Sequence, residues 1–388
     1  MQGGVGDYTR EMARAFTAQG HAVSVLTAAS LSDAYRDGAP EAWNVLPAVT
    51  DWKWGCWRQV VRALREVRPD VVDIQYQAAA YDMRSAAINL LPWRLRRLPG
   101  APPVVVTYHD LKPPYLFPKA GPLRDLLVRQ LARHAGAAIV TNAEDLAAAC
   151  RWSCVRSGKV TVHNIPIGSN IPVVPPQGFD RATWRAEHAY GDDSFLWAYF
   201  GFLNESKGGE ELVRALARAP ARHALLMIGG RVGTSDPTNE GYAARVERLI
   251  AELGVGDRVK WTGYVSTEQV SAALLSADIL VLPYRDGISF RRGSLHAALA
   301  HGCPILSTVP RVEIPELDEG ENVLLVPPRD PGALCQAARQ AEQDPVLRRR
   351  IGDGARALAS HFSWERIAER TVDELFGPLL SGSGSHVP

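Results

Sequence analysis

Short apolar, β-branched runs alternate with amphipathic helical stretches along this chain, and the alternation is completed twice. The first series of runs covers 21–28, 70–77, 103–109, 137–142 and 159–165. The second covers 196–203, 223–229, 258–265, 278–284, 304–308 and 322–326. Read as continuous apolar runs and not as period-2 alternations, they fit parallel strands buried on both faces. Helical patterns at 7–19, 55–67, 122–135, 208–219, 241–253 and 294–301 supply the crossovers. Between the series lies PIGSNIPVVPPQG, 166–178, whose prolines and glycines cannot form a helix. Two βαβ series and a linker predict two doubly wound α/β domains. Ligands in such sheets bind beyond the carboxyl ends of the strands, so two facing domains would hold a site in the cleft between them.

The expected boundaries are 1–168 for the first domain, 169–178 for the linker and 179–361 for the second domain. A helix over 362–380 and a disordered tail, 381–388 (SGSGSHVP), complete the chain. A length of 388 residues suits two or three domains, and 46% hydrophobic with 22% charged residues is ordinary globular composition. No apolar run is long enough to span a bilayer, and no signal-peptide pattern opens the chain. A formal net charge of +1 argues against whole-surface nucleic-acid binding. Cys56, Cys150, Cys154, Cys303 and Cys335 are odd in number and irregularly spaced, which suits a reducing cytoplasm and offers no zinc pattern.

The chain opens Met1-Gln2-Gly3-Gly4-Val5-Gly6, directly before a helix expected near Asp7. Such a loop should follow a strand, so the first strand of this sheet is missing, and two neighbouring strands should be left with an empty ladder. Gly3 and Gly4 could admit a phosphate at the helix N-terminus, or could simply form a tight turn. Thr107-Tyr108-His109-Asp110 ends an apolar strand. There His109 could hydrogen-bond a sugar hydroxyl, carry a proton, or be satisfied by backbone. The loop 111–121 reads as a lid, an acceptor surface or a plain surface loop.

In the second half, Lys207 sits where a strand turns into a helix and can pair with a phosphate or stand in solvent. The Gly-Lys-Ser/Thr order of an ATPase loop is absent. Segment 283–304 carries Arg285, Asp286, Ser289, Arg291 and Arg292 before a helix that starts at Gly293-Ser294. Two arginines before a helix N-terminus make a diphosphate clamp, or else a charged surface loop. Tyr264, followed by Val265, could stack on a base or belong to the core.

In this order the segments GGVGDYTREMARAFTAQGHAVSVLT, TYHD, VHNIPIG, GFLNESKGGEELVRA, VKWTGYV, ADILVLPYRDG, AALAHGCPIL and FSWERIAERTVDELF resemble family 4 glycosyltransferases, bacterial group 1 type. The resemblance covers nearly the whole chain. It implies the GT-B fold, with an acceptor-side first domain, a nucleotide-sugar-binding second domain and a C-terminal helix crossing back to the first. It implies transfer of a sugar from a nucleoside-diphosphate sugar, with retention, to a glycan, glycolipid, other lipid-linked or small-molecule acceptor. Gly3 and Gly4 would then approach the phosphate, His109 the donor sugar, Lys207 the leaving diphosphate, and Tyr264 and Val265 the nucleobase. The nucleotide-sugar is substrate, and neither cofactor nor metal is required. Cytoplasmic work in cell-envelope polysaccharide biosynthesis is the matching expectation.

Phe202 stands where the family has an arginine before the lysine loop, and two further positions depart from the family pattern. Its pair of glutamates falls here on Ser289 and Ala297. Asp286 could replace the first and Ser289 could still donate a hydrogen bond, while His296 neighbours the second. This departure keeps a non-catalytic GT-B partner open as an alternative, with a nucleotide-sugar epimerase behind it. Finally, LPWRLRRL at 91–98 and the tryptophans and arginines of 52–65 suit either peripheral contact with anionic membrane or tryptophans packed inward beneath solvated arginines.

Overall fold

The computed structural model describes residues 4–31, 42–113, 122–230 and 238–382. It separates into two units, one of residues 1–168 with 363–388 and one of residues 169–362. Both are α/β with parallel sheets.

In the first unit β1 (Ser24–Ala28) pairs in parallel with β2 (Asn44–Val49). A separate sheet runs in the order β3 (Val72–Tyr76), β4 (Val104–Tyr108), β5 (Ala137–Val140) and β6 (Thr161–Asn164), again all parallel. Strand β2 is absent from the sequence reading because Pro47 interrupts a short run. As an edge strand with one partner, β2 tolerates a residue that cannot donate on the open side. Among the described residues β1 and β3 each have a ladder partner on one side only.

Strand β3 also corrects the expectation of a uniformly apolar run. Ile74 and Tyr76 enter the core with Val104, Val106, Tyr108 and Leu131, while Asp73 and Gln75 alternate with them. Period 2 sends these two polar side chains to the opposite face. That face is covered by the helix Gly4–Ala18 through Tyr8, Met12 and Ala15, which share a core with Val105 and Ile139. The helix begins at Gly4 and not near Asp7, so Gly4 and Gly6 belong to its first turn and do not form a loop before it. Gly3, most of the tail 381–388 and the segment 114–121 of the expected lid lie outside the described residues.

The C-terminal segment returns to the first unit. In the helix Trp364–Thr371, with Ser363 accepting a hydrogen bond from Arg366 N as its N-cap, Ile367 and Ala368 join the core of Tyr8 and Ile139. Leu375 in the following π-turn, Val372–Phe376, extends it.

The second unit is a six-stranded parallel sheet in the order β12 (Leu324–Val326), β11 (Ile305–Thr308), β10 (Ile279–Leu282), β7 (Phe195–Phe200), β8 (His223–Ile228) and β9 (Val259–Trp261). Its strands are apolar on both faces, because helices cover both. Trp197, Tyr199, Leu225 and Val281 face one core, and Leu196, Ala198, Leu226 and Leu280 the other. Strands β7, β8 and β9 progress to one side and β10, β11 and β12 to the other, so the order reverses between β7 and β10. At such a switch point two consecutive crossovers lie on opposite faces and leave a crevice above the strand ends. No helix among the described residues is long and apolar enough to cross a membrane.

Candidate functional site

The crevice at the end of β7 and β10 collects most of the residues singled out in the second half. After β7 the backbone passes Gly201 and makes a short turn, Glu205–Lys207, before the helix Gly209–Arg218. Gly208 joins the two with φ of +69°, and a Cβ there would sit 1.9 Å from the Pro283 carbonyl oxygen. Only glycine lets the lysine turn lie this close to the end of β10. Arg285 N donates to Ser206 O at 2.8 Å and ties the two loops together. Behind them Arg285 is held by Glu205, Glu210 and Glu211 at 2.6–3.2 Å, a structural clamp.

Lys207 therefore begins no helix. Its side chain folds back, so that a Cβ on Gly201 would lie 3.0 Å from Nζ. Burial and the neighbouring Arg292 guanidinium push the ammonium down to about 8. Arg292 stacks over the Tyr284 ring at 4.9 Å, donates to both Asp286 oxygens at 2.6 Å and reaches Ser206 Oγ at 3.4 Å. Arg291 donates to Asp286 Oδ2 at 2.5 Å. Asp286 thus has both oxygens engaged by the two arginines. Arg292 Nε is buried with no hydrogen-bond partner among the described residues. A desolvated guanidinium N–H beside a recessed ammonium is an anion site by its chemistry.

The remaining candidates divide. Ser289 lies in the same loop, partly buried, with Oγ 3.5 Å from Arg291 N. No side chain caps the helix Gly293–Ala300 at its start. Ser294 is buried, and its hydroxyl hydrogen-bonds the Tyr284 hydroxyl at 2.7 Å, so this side chain helps fix the loop. Ala297 is fully buried in the core, and His296 lies between Phe290 and Phe362 with Nε2 on the Phe290 carbonyl oxygen. Both side chains are buried. Tyr264 is 81% exposed after β9, which excludes its reading as core, whereas Val265 packs against the core.

His109 and Gly4 belong to the first unit. His109 extends β4 by one residue, its N–H bonded to Tyr76 O at 2.9 Å. Its ring meets Tyr8 edge-on at 4.6 Å and Gln75 Oε1 at 2.9 Å, and burial pushes it down to about 4. Gln75 and Asp73 are functional candidates that the sequence reading missed. Polar residues at alternate positions of a strand inside an apolar sheet were the available signal. Burial pushes the Asp73 carboxyl up to about 7, against the opposing pull of hydrogen bonds from Thr107 and Gln75. Gly4 is exposed at the first position of its helix, with open space around it.

The tryptophans of the first unit pack inward for the most part. Trp57 donates to Ala87 O at 2.9 Å and lies against Trp54 and Trp93, with Arg97 stacked 3.8 Å over the Trp93 ring. Trp54 alone of these is exposed. No group of three or more metal-ligating side chains occurs among the described residues.

A family model for a glycosyl transferase 4-like domain matches residues 3–165, and one for glycosyl transferases group 1 matches residues 195–344. The chain belongs to the group 1, family 4-like glycosyltransferases. The D-inositol 3-phosphate glycosyltransferase of Streptomyces avermitilis is 28% identical over 252 residues, 63% of this chain and 52% of that one. The MMP alpha-(1->4)-mannosyltransferase of Mycolicibacterium hassiacum is 32% identical over 43% of this chain and 39% of its own length. The chain spans about half the length of the curated relatives it matches.

Solved structures of the same GT-B fold include sucrose-phosphate synthase from Thermosynechococcus elongatus, with a TM-score of 0.73, 23% identity and coverage of 98% of this chain and 94% of that one. Anabaena HepE in complex with UDP and glucose matches with a TM-score of 0.74 and 17% identity, over 97% of each chain. In this family member, then, the lysine turn and the double-arginine loop lie together at the switch point of the second sheet.

Proposed function

We propose that the chain is a retaining glycosyltransferase that moves a sugar from a nucleoside-diphosphate sugar to a glycan or lipid-linked acceptor. The observation that carries the reading is the anion site at the ends of β7 and β10, where Lys207 lies beside an Arg292 whose Nε has no partner among the described residues. As the glycosidic bond to the diphosphate breaks, negative charge grows on the leaving group. Cations already fixed in a desolvated crevice meet that charge with little reorganisation. We assign Lys207, Arg291 and Arg292 to the diphosphate, with Asp286 holding the arginine pair in place. Tyr264 is assigned to the base as an exposed stacking surface. His109 is assigned to a sugar hydroxyl. Neither cofactor nor metal enters this scheme, and a UDP-bound relative of the same fold supports a nucleotide-sugar donor. Five free cysteines suit work in a reducing cytoplasm.

A thermal-shift panel with UDP, GDP, ADP and dTDP tests the anion site first. A ligand that binds only the folded state raises the melting temperature. One nucleotide should do so clearly, and the corresponding sugar donors should then be consumed with retained anomeric configuration by proton NMR. Ser289 and Ala297, in place of carboxylates, favour a second reading, a nucleotide-binding partner without turnover. A nucleotide shift with no donor consumption would select it. No shift with any nucleotide removes the diphosphate site itself.

A further inference from the structure

The assignment of His109 to a sugar hydroxyl leaves the chemistry of its ring unspecified, and the network behind it supplies that chemistry. Strands β3 and β4 pair in parallel with Gln75 beside Thr107. Alternation therefore gathers Asp73, Gln75, Thr107 and His109 on the sheet face that Tyr8 covers. Thr107 Oγ1 donates to Asp73 Oδ1 at 2.9 Å and to Oδ2 at 3.1 Å. Gln75 Nε2 donates to Asp73 Oδ2 at 2.6 Å. At pH 8, above the value of about 7 to which burial raises it, Asp73 is a carboxylate and only accepts, so the NH2 of the Gln75 amide points toward Asp73. Its oxygen then points the other way and lies 2.9 Å from His109 Nε2. An amide oxygen also only accepts, so Nε2 must carry the proton. A neutral imidazole has one N–H, which leaves the Nδ1 lone pair to accept. Among the described residues no hydrogen bond reaches Nδ1.

We propose that Asp73 and Gln75 are positioning residues that lock His109 as its Nε2–H tautomer, so that Nδ1 accepts a hydrogen bond from a substrate hydroxyl. This deepens the proposed function and rests on its assignment of His109. A lone pair at Nδ1 welcomes a sugar O–H and repels a phosphate oxygen. The same ring in the other tautomer would donate where the substrate also donates.

Histidine labelled with nitrogen-15 in the full chain reads the tautomer directly, at pH 8 and without substrate. The His109 signal is assigned by its absence in His109→Gln. The expected spectrum has a protonated Nε2 and a lone-pair shift at Nδ1. In Gln75→Leu the His109 tautomers should mix, and kcat should fall by about 10- to 100-fold with nucleotide affinity unchanged. A protonated Nδ1 in the wild-type chain overturns the proposal. So does an unchanged tautomer in Gln75→Leu. Should that variant not fold, the wild-type spectrum alone decides. The spectrum needs no turnover, so a failure of the transferase reading leaves it intact. The expected tautomer with full transfer in His109→Gln instead overturns the hydroxyl contact.

Discussion

Lys207 carries a conflict between folding and binding that a single substitution can expose. Its folded pKa is about 8, below the ordinary lysine value, so the unfolded chain binds the proton more tightly between pH 8 and pH 10.5. The stability it forfeits at neutral pH is recovered as pH rises through that window. Lys207→Met should therefore melt at a higher temperature than wild type at pH 7, by an equivalent of about 1–3 kcal/mol. That gain should shrink toward pH 10. Nucleoside diphosphate affinity should meanwhile fall by about 2–3 kcal/mol, as calorimetry would record. A variant that loses stability at pH 7 would contradict the recessed charge. Tyr264 presents the opposite balance. At 81% exposure it adds little to the fold, so Tyr264→Ala should leave the melting temperature within about 0.5 kcal/mol of wild type. It should weaken nucleotide binding by about 1–3 kcal/mol if the ring stacks on the base. Equal affinity of both forms would remove Tyr264 from the site.

The decisive element is the pair of loops after β7 and β10. Each is a modest feature alone, and their chemistry comes from being pressed together across Gly208. Gly208→Ala would place a methyl carbon on the Pro283 carbonyl oxygen at a backbone φ of +69°. Both strain and overlap must be relieved by separating the loops, at a cost of about 2–4 kcal/mol. Urea unfolding should report that loss, and the nucleotide-dependent thermal shift should vanish with it. A wild-type response in this variant would mean that the loops need not touch to bind. In the first unit, β3 makes the complementary point. Its apolar residues were legible as a strand, but the polar alternation that builds the His109 network was hidden in a run that looked uniformly buried. Strand β2 stayed unread because local proline chemistry outweighs a short apolar pattern, while pairing in the sheet tolerates it.

At the scale of the molecule, each unit has its own cores. Trp197 and its neighbours, and Leu196 and its neighbours, draw only on residues of the second unit. The core around Tyr8 and Ile139 draws on both ends of the first unit, since Ile367, Ala368 and Leu375 complete it. Residues 169–362 expressed alone should unfold cooperatively in urea. The segment 1–168 without 363–382 should not, because the helix Gly4–Ala18 would lose Ile367, Ala368 and Leu375 from its apolar core. Proteolysis and circular dichroism on the two fragments check this. Cooperative unfolding of 1–168 would show that the returning helix is dispensable to that core.

Local periodicity and turn residues in the sequence were sufficient for two parallel α/β units, nearly every strand, and the lysine and arginine loops at strand ends. These depend on side chains a few residues apart. Ordered motifs also identified the family. The strand order, with its reversal between β7 and β10, came only from tertiary structure, because pairing between distant strands leaves no trace in local period. The same holds for Asp286 bridging two arginines, for Ala297 sealed in the core, and for the tautomer of His109. Each is settled by which atoms lie against one another once the chain has folded, polar atoms within about 3 Å in the first and last cases, and that is a property of packing.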